Sequence, residues 1–148
     1  MKLVKGNLWD YHNENNIICI TTNGTIKNNG ELVMGRGCAL EATQRYPEFP
    51  KLLGDLVKSY DNHCFFLPHR IVSFPVKYNW YETADLDLIN RSSEELSELI
   101  DKLSDIRIDN IVIPRPGCGN GNLKWSEVEP IVYYNFSHDD RYKIIDKG

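Results

Sequence analysis

The sequence predicts one α/β domain that spans residues 1–148, with helices on both sides of a sheet. Short apolar runs alternate along the chain with stretches of helical period, a pattern typical of sheets covered by helices. The run "NIVIP" at residues 110–114 is apolar throughout, like strands that are covered on both faces. The length fits a single domain with a buried core. In such sheets ligands bind beyond the carboxyl ends of the strands.

The first part of the chain predicts two strands and two helices. "KLVK" at residues 2–5 and the β-branched "NIICITT" at residues 16–22 predict the strands. Asn and Gly recur through residues 23–37, which therefore predict a loop. Residues 38–60 predict two helices, which the prolines in residues 47–50 separate.

The middle of the chain predicts two more strands and the clearest helix. The runs "HCFFLP" and "RIVSFPV", at residues 63–68 and 70–76, are strand-like and each ends near a proline. Residues 90–105 place leucine and isoleucine repeatedly on one face of a helix. Ser92 and Glu95 match a capping box, which predicts a helix start close to Ser92.

The last third predicts a strand, a helix and a final strand. These are residues 110–114, "WSEVEPIVYYNF" at residues 125–136, and "YKII" at residues 142–145. No internal repeat, linker or low-complexity tract divides the sequence, which agrees with one domain.

Composition argues against several classes of protein. The net charge of −4 disfavours non-specific nucleic-acid binding, which needs clustered cations. No apolar run reaches the ~18 residues of a membrane span, and the first residues lack the apolar core of a secretory signal. The four cysteines form no CxxC pair and the four histidines no HxxxH pair. We therefore expect free thiols in the cytoplasm, no metal and no cofactor, and a monomer, although the sequence leaves the oligomeric state open.

Two glycine-rich loops stand ahead of predicted helices. "GRG" at residues 35–37 comes just before a helix at residues 38–46, and "GCGNG" at residues 117–121 follows the strand at residues 110–114. Free backbone N–H groups and the helix dipole favour an anion there, and glycine lets a phosphate approach the main chain. One such loop alone would more often be a tight connection. Two together favour a phosphate-binding site.

Familiar phosphate-binding motifs match these loops poorly. "GRGCAL" has Leu40 where a dinucleotide fingerprint needs Gly or Ala, and no Walker A triplet of Gly, Lys and Ser or Thr occurs. A cysteine phosphatase would use Cys118 and an arginine after five loop residues. Lys124 stands at that place instead, and lysine lacks the planar fork that clamps phosphate. The phosphatase is a weaker alternative, and Cys118 could equally be a small residue tolerated in a crowded loop.

In order along the chain, "KLVKGNLWD", "IICITTNG", "VMGRGCALEATQRYP" and "NIVIPRPGCGNGNLKW" resemble the macro domain family, an ADP-ribose-binding α/β module. The resemblance covers nearly the whole chain. It is closest to the branch of the terminal ADP-ribose glycohydrolase and the ADP-ribose-1″-phosphate phosphatase. It implies a three-layer sandwich with a mixed, mostly parallel sheet. It also implies that both glycine loops wrap the pyrophosphate of ADP-ribose or of an ADP-ribosylated substrate.

The resemblance also implies positions for the rest of the substrate. The adenine would lie near Asn7 and Leu8, and the distal ribose near Thr22 and Asn23. The implied substrate-binding residues are Asn7, Leu8, Thr22, Asn23, Met34, Gly35, Arg36, Gly37, Arg115, Pro116, Gly117, Cys118, Gly119, Asn120 and Gly121.

The chain departs from the family pattern at several positions. Asn7 stands where an aspartate usually accepts a hydrogen bond from the adenine amino group, and Ile145 stands near the place of an aromatic that stacks on adenine. Lys77 lies where the glycohydrolase branch has its catalytic lysine, whereas Gly121 replaces the partner aspartate. A lysine can attack a sugar carbonyl carbon as a Schiff-base nucleophile, so Lys77 is the predicted catalytic residue. The alternative is a solvated surface lysine.

The resemblance implies a hydrolase of an ADP-ribose derivative. ADP-ribose-1″-phosphate is preferred over an ADP-ribosyl ester because the pair of lysine and aspartate is incomplete. Asn23, Asn120 and Asn122 could position a water against a bound phosphate. The alternative from another class is a non-catalytic reader or sequestering protein for ADP-ribose-containing nucleotides.

The aromatic residues that follow Lys77 have two interpretations. Tyr78, Trp80 and Tyr81 could wall a ribose or a base. Anchoring of the loop by these aromatic side chains is the favoured interpretation.

Overall fold

The computed structural model describes residues 1–147, which form one six-stranded sheet. The strands are β1 (Lys2–Lys5), β2 (Asn16–Thr22), β3 (Phe65–Leu67), β4 (Ile71–Pro75), β5 (Asn110–Pro114) and β6 (Tyr142–Asp146). Their order across the sheet is β1-β6-β5-β2-β4-β3, and β3 runs antiparallel to β4 while the other neighbours are parallel. The expected mixed, mostly parallel sheet is confirmed. Gly148 lies outside the described residues.

Helices cover both faces of the sheet. They are α1 (Gly37–Arg45), α2 (Phe49–Tyr60), α3 (Leu86–Lys102) and α4 (Trp125–Phe136). α1, α2 and a short 3₁₀ helix at Leu8–Tyr11 pack on one face, and α3 and α4 pack on the other. Within residues 1–147, no helix combines the length and the apolar character that crossing a membrane requires.

Alternate residues of β2 enter the two apolar layers. Ile17 and Cys19 pack in the layer of α3 and α4, whereas Ile18 and Ile20 pack in the layer of α1 and α2. All four side chains are fully buried. Because both faces of the strand are covered, its sequence is apolar at successive positions rather than alternating.

The start of α3 differs from the sequence prediction. The helix begins at Leu86, four residues before the predicted segment at residues 90–105, and Asp85 caps it by accepting a hydrogen bond from Leu88 N at 2.9 Å. Ser92 is instead buried inside the helix, where its hydroxyl donates to a backbone carbonyl of β4 at 2.6 Å. The capping box predicted at Ser92 and Glu95 is therefore wrong. The same spacing of serine and glutamate also occurs on one face within a helix, so it does not by itself mark a start.

The parallel strands place several loops at one edge of the sheet. β2, β4, β5 and β6 run in the same direction, so their carboxyl ends lie together. Lys77 follows β4, and the second glycine loop follows β5. This is the edge at which α/β sheets bind their ligands.

Candidate functional site

A cavity of about 850 Å³ lies at the edge where these strands end. Its walls come from the turn after β1, the end of β2, the first glycine loop with the start of α1, the residues after β4, and the second glycine loop. The volume falls within the range of small-molecule sites, roughly 300–1,000 Å³. With the end of β6, which also lines the cavity, six separate stretches of sequence meet at one space of the size of a binding site.

The cavity brings together nearly all residues predicted to bind substrate. Those that line it are Asn7, Leu8, Thr22, Asn23, Met34, Gly35, Arg36, Gly37, Arg115, Gly117, Cys118, Gly119, Asn120 and Gly121. Pro116, also predicted, is buried and does not line the cavity. Lys77 lines the same space.

The first glycine loop leads directly into α1. Gly35, Arg36 and Gly37 are exposed, and no side chain of residues 1–147 caps the N-terminus of this helix. The first N–H groups of an uncapped helix are donors without an intrahelical partner. Together with the helix dipole, they make this end of the cavity suited to an anion.

The second glycine loop is a compact turn between β5 and α4. Gly117 has a φ of +77°, which an L side chain rarely adopts. Its carbonyl accepts from Leu123 N at 2.9 Å, and Gly119 O accepts from Asn122 N at 3.2 Å. Gly121 O accepts from Ala84 N at 2.9 Å, which ties the loop to the start of α3. These backbone hydrogen bonds fix the conformation of the loop. The space beside Gly119 is open, since a Cβ added there would meet no atom within 4 Å.

Gly121 has no room for a side chain. A Cβ there would lie 2.5 Å from Gly117 O and 2.8 Å from Ala84 Cβ, so either contact would force the backbone to move. The aspartate of the glycohydrolase branch is thus missing from a position that this loop has closed. A different loop conformation would be needed to hold an acid there.

We expect Gly121→Asp to lower the free energy of unfolding by about 2 kcal/mol through overpacking, and to weaken ADP-ribose binding. Thermal denaturation and calorimetry measure the two effects. Asn122→Asp is the control, because it adds the same charge one residue further on, at an exposed position. A Gly121→Asp chain with unchanged stability and faster turnover would show that the loop opens to accept the acid.

Lys77 is held by two backbone carbonyls. Its Nζ donates to Trp80 O at 3.2 Å and to Asn120 O at 3.0 Å, so the amine bridges its own loop and the second glycine loop. Burial lowers the pKa of Lys77, and the positive charge of Arg36 lowers it further. The amine therefore becomes neutral at a lower pH than an ordinary lysine. This placement fits a site residue better than a solvated surface lysine.

Asn62 supports the backbone at Lys77. The buried side chain of Asn62 donates from Nδ2 to Lys77 O at 3.0 Å, and the Arg91 guanidinium donates to Asn62 O. Val76 N donates to Thr22 O at 2.9 Å, which joins the same segment to the end of β2. The lysine is thus fixed at its main chain as well as at its amine.

The end of the cavity near β1 offers mainly apolar surface. Leu8 and Ile145 line it and are buried. Asn7 Oδ1 accepts a hydrogen bond from Trp9 N at 2.9 Å and so caps the 3₁₀ helix. One of the two lone pairs of the amide oxygen expected to receive the adenine amino group is therefore already used in the fold. Leu8 and Ile145 offer an adenine contact with aliphatic side chains in addition.

Asn23 is also used by the fold. Its Nδ2 donates to Val33 O at 3.0 Å and its Oδ1 accepts from Thr25 N at 2.9 Å. Both ends of the amide hold the backbone of the segment that leads into the first glycine loop. Asn23 is thus less suited to positioning a water than the sequence indicated.

Cys118 lacks the features of a thiolate nucleophile. Burial raises the pKa of its thiol, and the Arg115 charge lowers it by less. A raised pKa keeps the thiol protonated at neutral pH, whereas a phosphatase needs the thiolate. Among residues 1–147, no three His, Cys, Asp or Glu side chains come together as a metal site.

The cavity also contains an aromatic and a carboxylate that were not predicted from the sequence. The Arg115 guanidinium lies 4.8 Å from the centroid of the Trp125 ring, and its Nη2 lies 3.4 Å from Asp146 Oδ2. All three residues line the cavity. Trp125 is the first residue of α4, four residues after Gly121 of the second glycine loop, and this nearness in sequence was the available signal. Asp146 ends β6, one residue beyond the predicted strand.

Comparisons with known proteins agree with the fold. Models of protein families give no match to this chain. The chain is 27% identical over 139 residues to a DNA ADP-ribosyl glycohydrolase of Thermus aquaticus, across 87% of this chain and 36% of that relative. The macrodomain of Mycobacterium tuberculosis DarG superposes with a TM-score of 0.79 at 25% identity, covering 99% of this chain and 98% of that one. Thermosipho africanus DarTG, solved in complex with ADP-ribose, gives a TM-score of 0.78 at 19% identity, covering 97% of this chain and 41% of that one.

The sheet order and the two loops that frame the cavity give this chain the macrodomain fold, as the sequence predicted. Within that class it is similar to the macrodomains of DarG proteins. The chain spans about a third of the length of the curated relatives that it matches.

Proposed function

We propose that this macrodomain binds ADP-ribose and releases it from ADP-ribosylated DNA. The single observation that carries the proposal is the amine of Lys77, fixed inside the cavity by carbonyls from two loops. The matched relatives are DNA ADP-ribosyl glycohydrolases, and DarTG was solved with ADP-ribose. A cytoplasmic location, expected from the unpaired cysteines, stays part of the proposal.

The two glycine loops are proposed to bind the pyrophosphate. Residues 35–37 present N–H groups at the start of α1, and Gly117, Gly119 and Asn120 line the opposite wall of the cavity, whereas Cys118 N donates to Arg115 O at 3.3 Å. Added Cβ atoms at Gly35 and Gly119 would meet nothing within 4 Å, so the space beside both residues is open to phosphate oxygens. With the pyrophosphate between the loops, the distal ribose would extend toward Lys77.

The geometry at Lys77 suits a neutral amine that attacks an electrophilic carbon. A neutral amine has two N–H groups and one lone pair. Trp80 O and Asn120 O accept the two hydrogen bonds, which leaves the lone pair free and directed by the fixed amine. The lowered pKa of Lys77 increases the fraction of this neutral form.

The proposed reaction begins when the Lys77 lone pair attacks C1″ of the distal ribose. The bond from C1″ to the nucleobase nitrogen breaks, its electron pair leaves with the base, and the base then takes up a proton while Nζ loses one. Cleavage of the bond from C1″ to the ring oxygen gives an imine on Nζ, and that oxygen is protonated. Water then adds to C1″ and the amine departs, which leaves the open form of ADP-ribose and the unmodified base.

A nucleobase is a better leaving group for this site than the alternatives. A departing base spreads its charge over a ring, so it depends less on the acid that Gly121 cannot supply. The 1″-phosphate, the preferred substrate on sequence grounds, requires a positioned water, and the side chain of Asn23 is hydrogen-bonded to Val33 and Thr25. An ADP-ribosyl ester stays a third substrate, since it presents the same C1″.

Release assays with the purified chain test the proposal. The substrates are a single-stranded oligonucleotide ADP-ribosylated on one base, ADP-ribose-1″-phosphate and a glutamyl-ADP-ribosylated protein, and free ADP-ribose or phosphate is measured. We expect ADP-ribose release to be fastest from the oligonucleotide. Tight binding of ADP-ribose without release from any of the three would favour the non-catalytic reader.

The kcat should rise with pH as Lys77 loses its proton, and the charge of Arg36 should influence the pH at which this rise occurs. Removing the charge of Arg36 removes one cause of the lowered pKa, so Arg36→Gln should move the rising limb of the profile of kcat against pH to higher pH. Arg36→Lys keeps the charge and should keep the limb in place. Identical profiles for all three chains would show that the lysine proton does not limit the rate.

A further inference from the structure

Three aromatic side chains beside Lys77 are exposed to solvent. Tyr78 and Trp80 each have 48% of their surface accessible, and Tyr81 has 70%. Aromatic side chains that anchor a loop would be buried against the body of the protein. The anchoring role that the sequence favoured for them therefore fails, and their exposure needs another explanation.

The backbone that carries these rings is fixed without their help. Trp80 N donates to Thr25 Oγ1 at 3.0 Å, and Tyr78 O accepts from Gly24 N at 3.1 Å. The turn is closed by Asn79, whose N–H donates to a side-chain oxygen of Glu82 at 2.7 Å. Polar contacts thus hold the backbone of this segment, while its rings are exposed to solvent.

Trp80 and Tyr81 present a preformed aromatic corner. Their ring centroids are 5.8 Å apart and the ring planes meet at 86°, an edge-to-face contact. Each ring keeps accessible surface in this arrangement. A flat group could stack on either ring without any rearrangement of the main chain.

The corner is continuous with the site of the proposed reaction. Trp80 lines the cavity together with Lys77, and Trp80 O accepts a hydrogen bond from the Lys77 amine. Trp80 therefore lies next to the place of C1″, and a group attached at C1″ would have exposed aromatic rings beside it.

The charge of the protein favours flat neutral groups over phosphates as the ligand of this aromatic corner. The chain has a net charge of −4, which repels a nucleic-acid backbone at long range. Bases of a single strand expose their faces and stack on aromatic side chains, worth about 1–3 kcal/mol per base, or roughly 5- to 150-fold in affinity. In a duplex those faces are covered by neighbouring base pairs.

We propose that Tyr78, Trp80 and Tyr81 form a stacking surface for the nucleobases that flank an ADP-ribosylated base in single-stranded DNA. This inference rests on the proposed function, because it names how the same site recognises the DNA beyond the ADP-ribose. It predicts that the chain prefers an ADP-ribosylated oligonucleotide to an ADP-ribosylated mononucleotide. The preference should depend little on salt, since stacking releases few counterions.

Trp80→Ala and Tyr81→Ala test the surface, with release of ADP-ribose measured from the oligonucleotide and the mononucleotide. Both changes leave the backbone carbonyl of Trp80 available to Lys77. We expect each variant to reduce the preference for the oligonucleotide, expressed as the ratio of the two kcat/KM values, by about 10-fold. Trp80→Phe should retain most of it. Tyr134→Ala is the matched control, because Tyr134 is an 81% exposed aromatic on α4, and it should change nothing.

Several outcomes would overturn the inference. An unchanged preference in Trp80→Ala and Tyr81→Ala, with a wild-type chain that releases ADP-ribose, would remove the stacking surface and leave the glycohydrolase intact. If the same variants are also assayed with the glutamyl-ADP-ribosylated protein, a loss confined to that substrate would assign the surface to a protein partner. A steep decrease of the preference with salt would assign recognition to phosphate contacts. No release by the wild-type chain from either nucleic-acid substrate would reject the proposed function and this inference together.

Discussion

Replacing Lys77 by alanine should reduce the kcat for ADP-ribose release from DNA by a factor on the order of 10³ or more. The affinity for ADP-ribose should stay within about twofold, because the phosphate-binding loops supply it while the nucleophile acts in the transition state. Single-turnover release and calorimetry on the same preparation measure the two quantities. The predicted separation of rate from affinity is what distinguishes a nucleophile from a binding residue.

Two further variants show whether this effect is specific. Lys77→Arg keeps a positive charge but cannot form an imine, so it should be as inactive as Lys77→Ala. Lys143→Ala is the matched control, because burial and Lys2 also lower the pKa of Lys143, yet that side chain does not line the cavity. Turnover that survives in Lys77→Ala would make the lysine a bystander and leave chemistry directed by the phosphate loops.

Gly119→Val should weaken ADP-ribose binding by about 100-fold, or about 3 kcal/mol, and Gly35→Val should have a similar effect. A Cβ at either residue meets no protein atom within 4 Å, so the added side chain should fill ligand space without disturbing the fold. Calorimetry on variants with an unchanged Tm measures the loss. The magnitude corresponds to one or two hydrogen bonds from backbone N–H groups to a charged phosphate.

A graded control strengthens this test. Gly119→Ala adds one carbon and should cost less affinity than Gly119→Val. If the two loops bind phosphate through their main chain, the loss of affinity should follow the size of the side chain. Unchanged binding in Gly35→Val and Gly119→Val, with both folded, would contradict the assignment of the cavity to ADP-ribose.

The order of helices and strands could be predicted because its signals are local. The runs at residues 16–22, 110–114 and 125–136 became β2, β5 and α4 with the predicted bounds, since β-branched, fully apolar or helical patterns lie within each run. The predicted start of α3 was wrong, because the capping residue Asp85 precedes the segment at residues 90–105 from which the helix was predicted. The order of the strands across the sheet depends on contacts between distant residues, so no local pattern contained it.

The candidate site likewise has features that the sequence could predict and features that it could not. Both glycine loops could be predicted because a phosphate can approach the backbone closely where side chains are absent, and glycine marks such positions in the sequence. The hydrogen bonds of Asn7 with Trp9 and of Asn23 with Val33 could not be predicted, since residue type does not show which hydrogen bonds a side chain makes within the fold. The closed packing around Gly121 likewise depends on Ala84, which is distant in sequence.

Reductive trapping during turnover tests the central claim, that Lys77 forms an imine with C1″ of the distal ribose. Borohydride is added while the chain releases ADP-ribose from the ADP-ribosylated oligonucleotide, and peptides are mapped by mass spectrometry. Hydride transfer to the imine carbon would leave a stable secondary amine that links Nζ to ADP-ribose. We predict this adduct on Lys77 in the wild-type chain, no adduct at that position in Lys77→Arg, and no enrichment on Lys143, the other partly buried lysine with a lowered pKa. Continued release at the full rate with no adduct on Lys77, or with equal labelling of Lys143, would contradict the account.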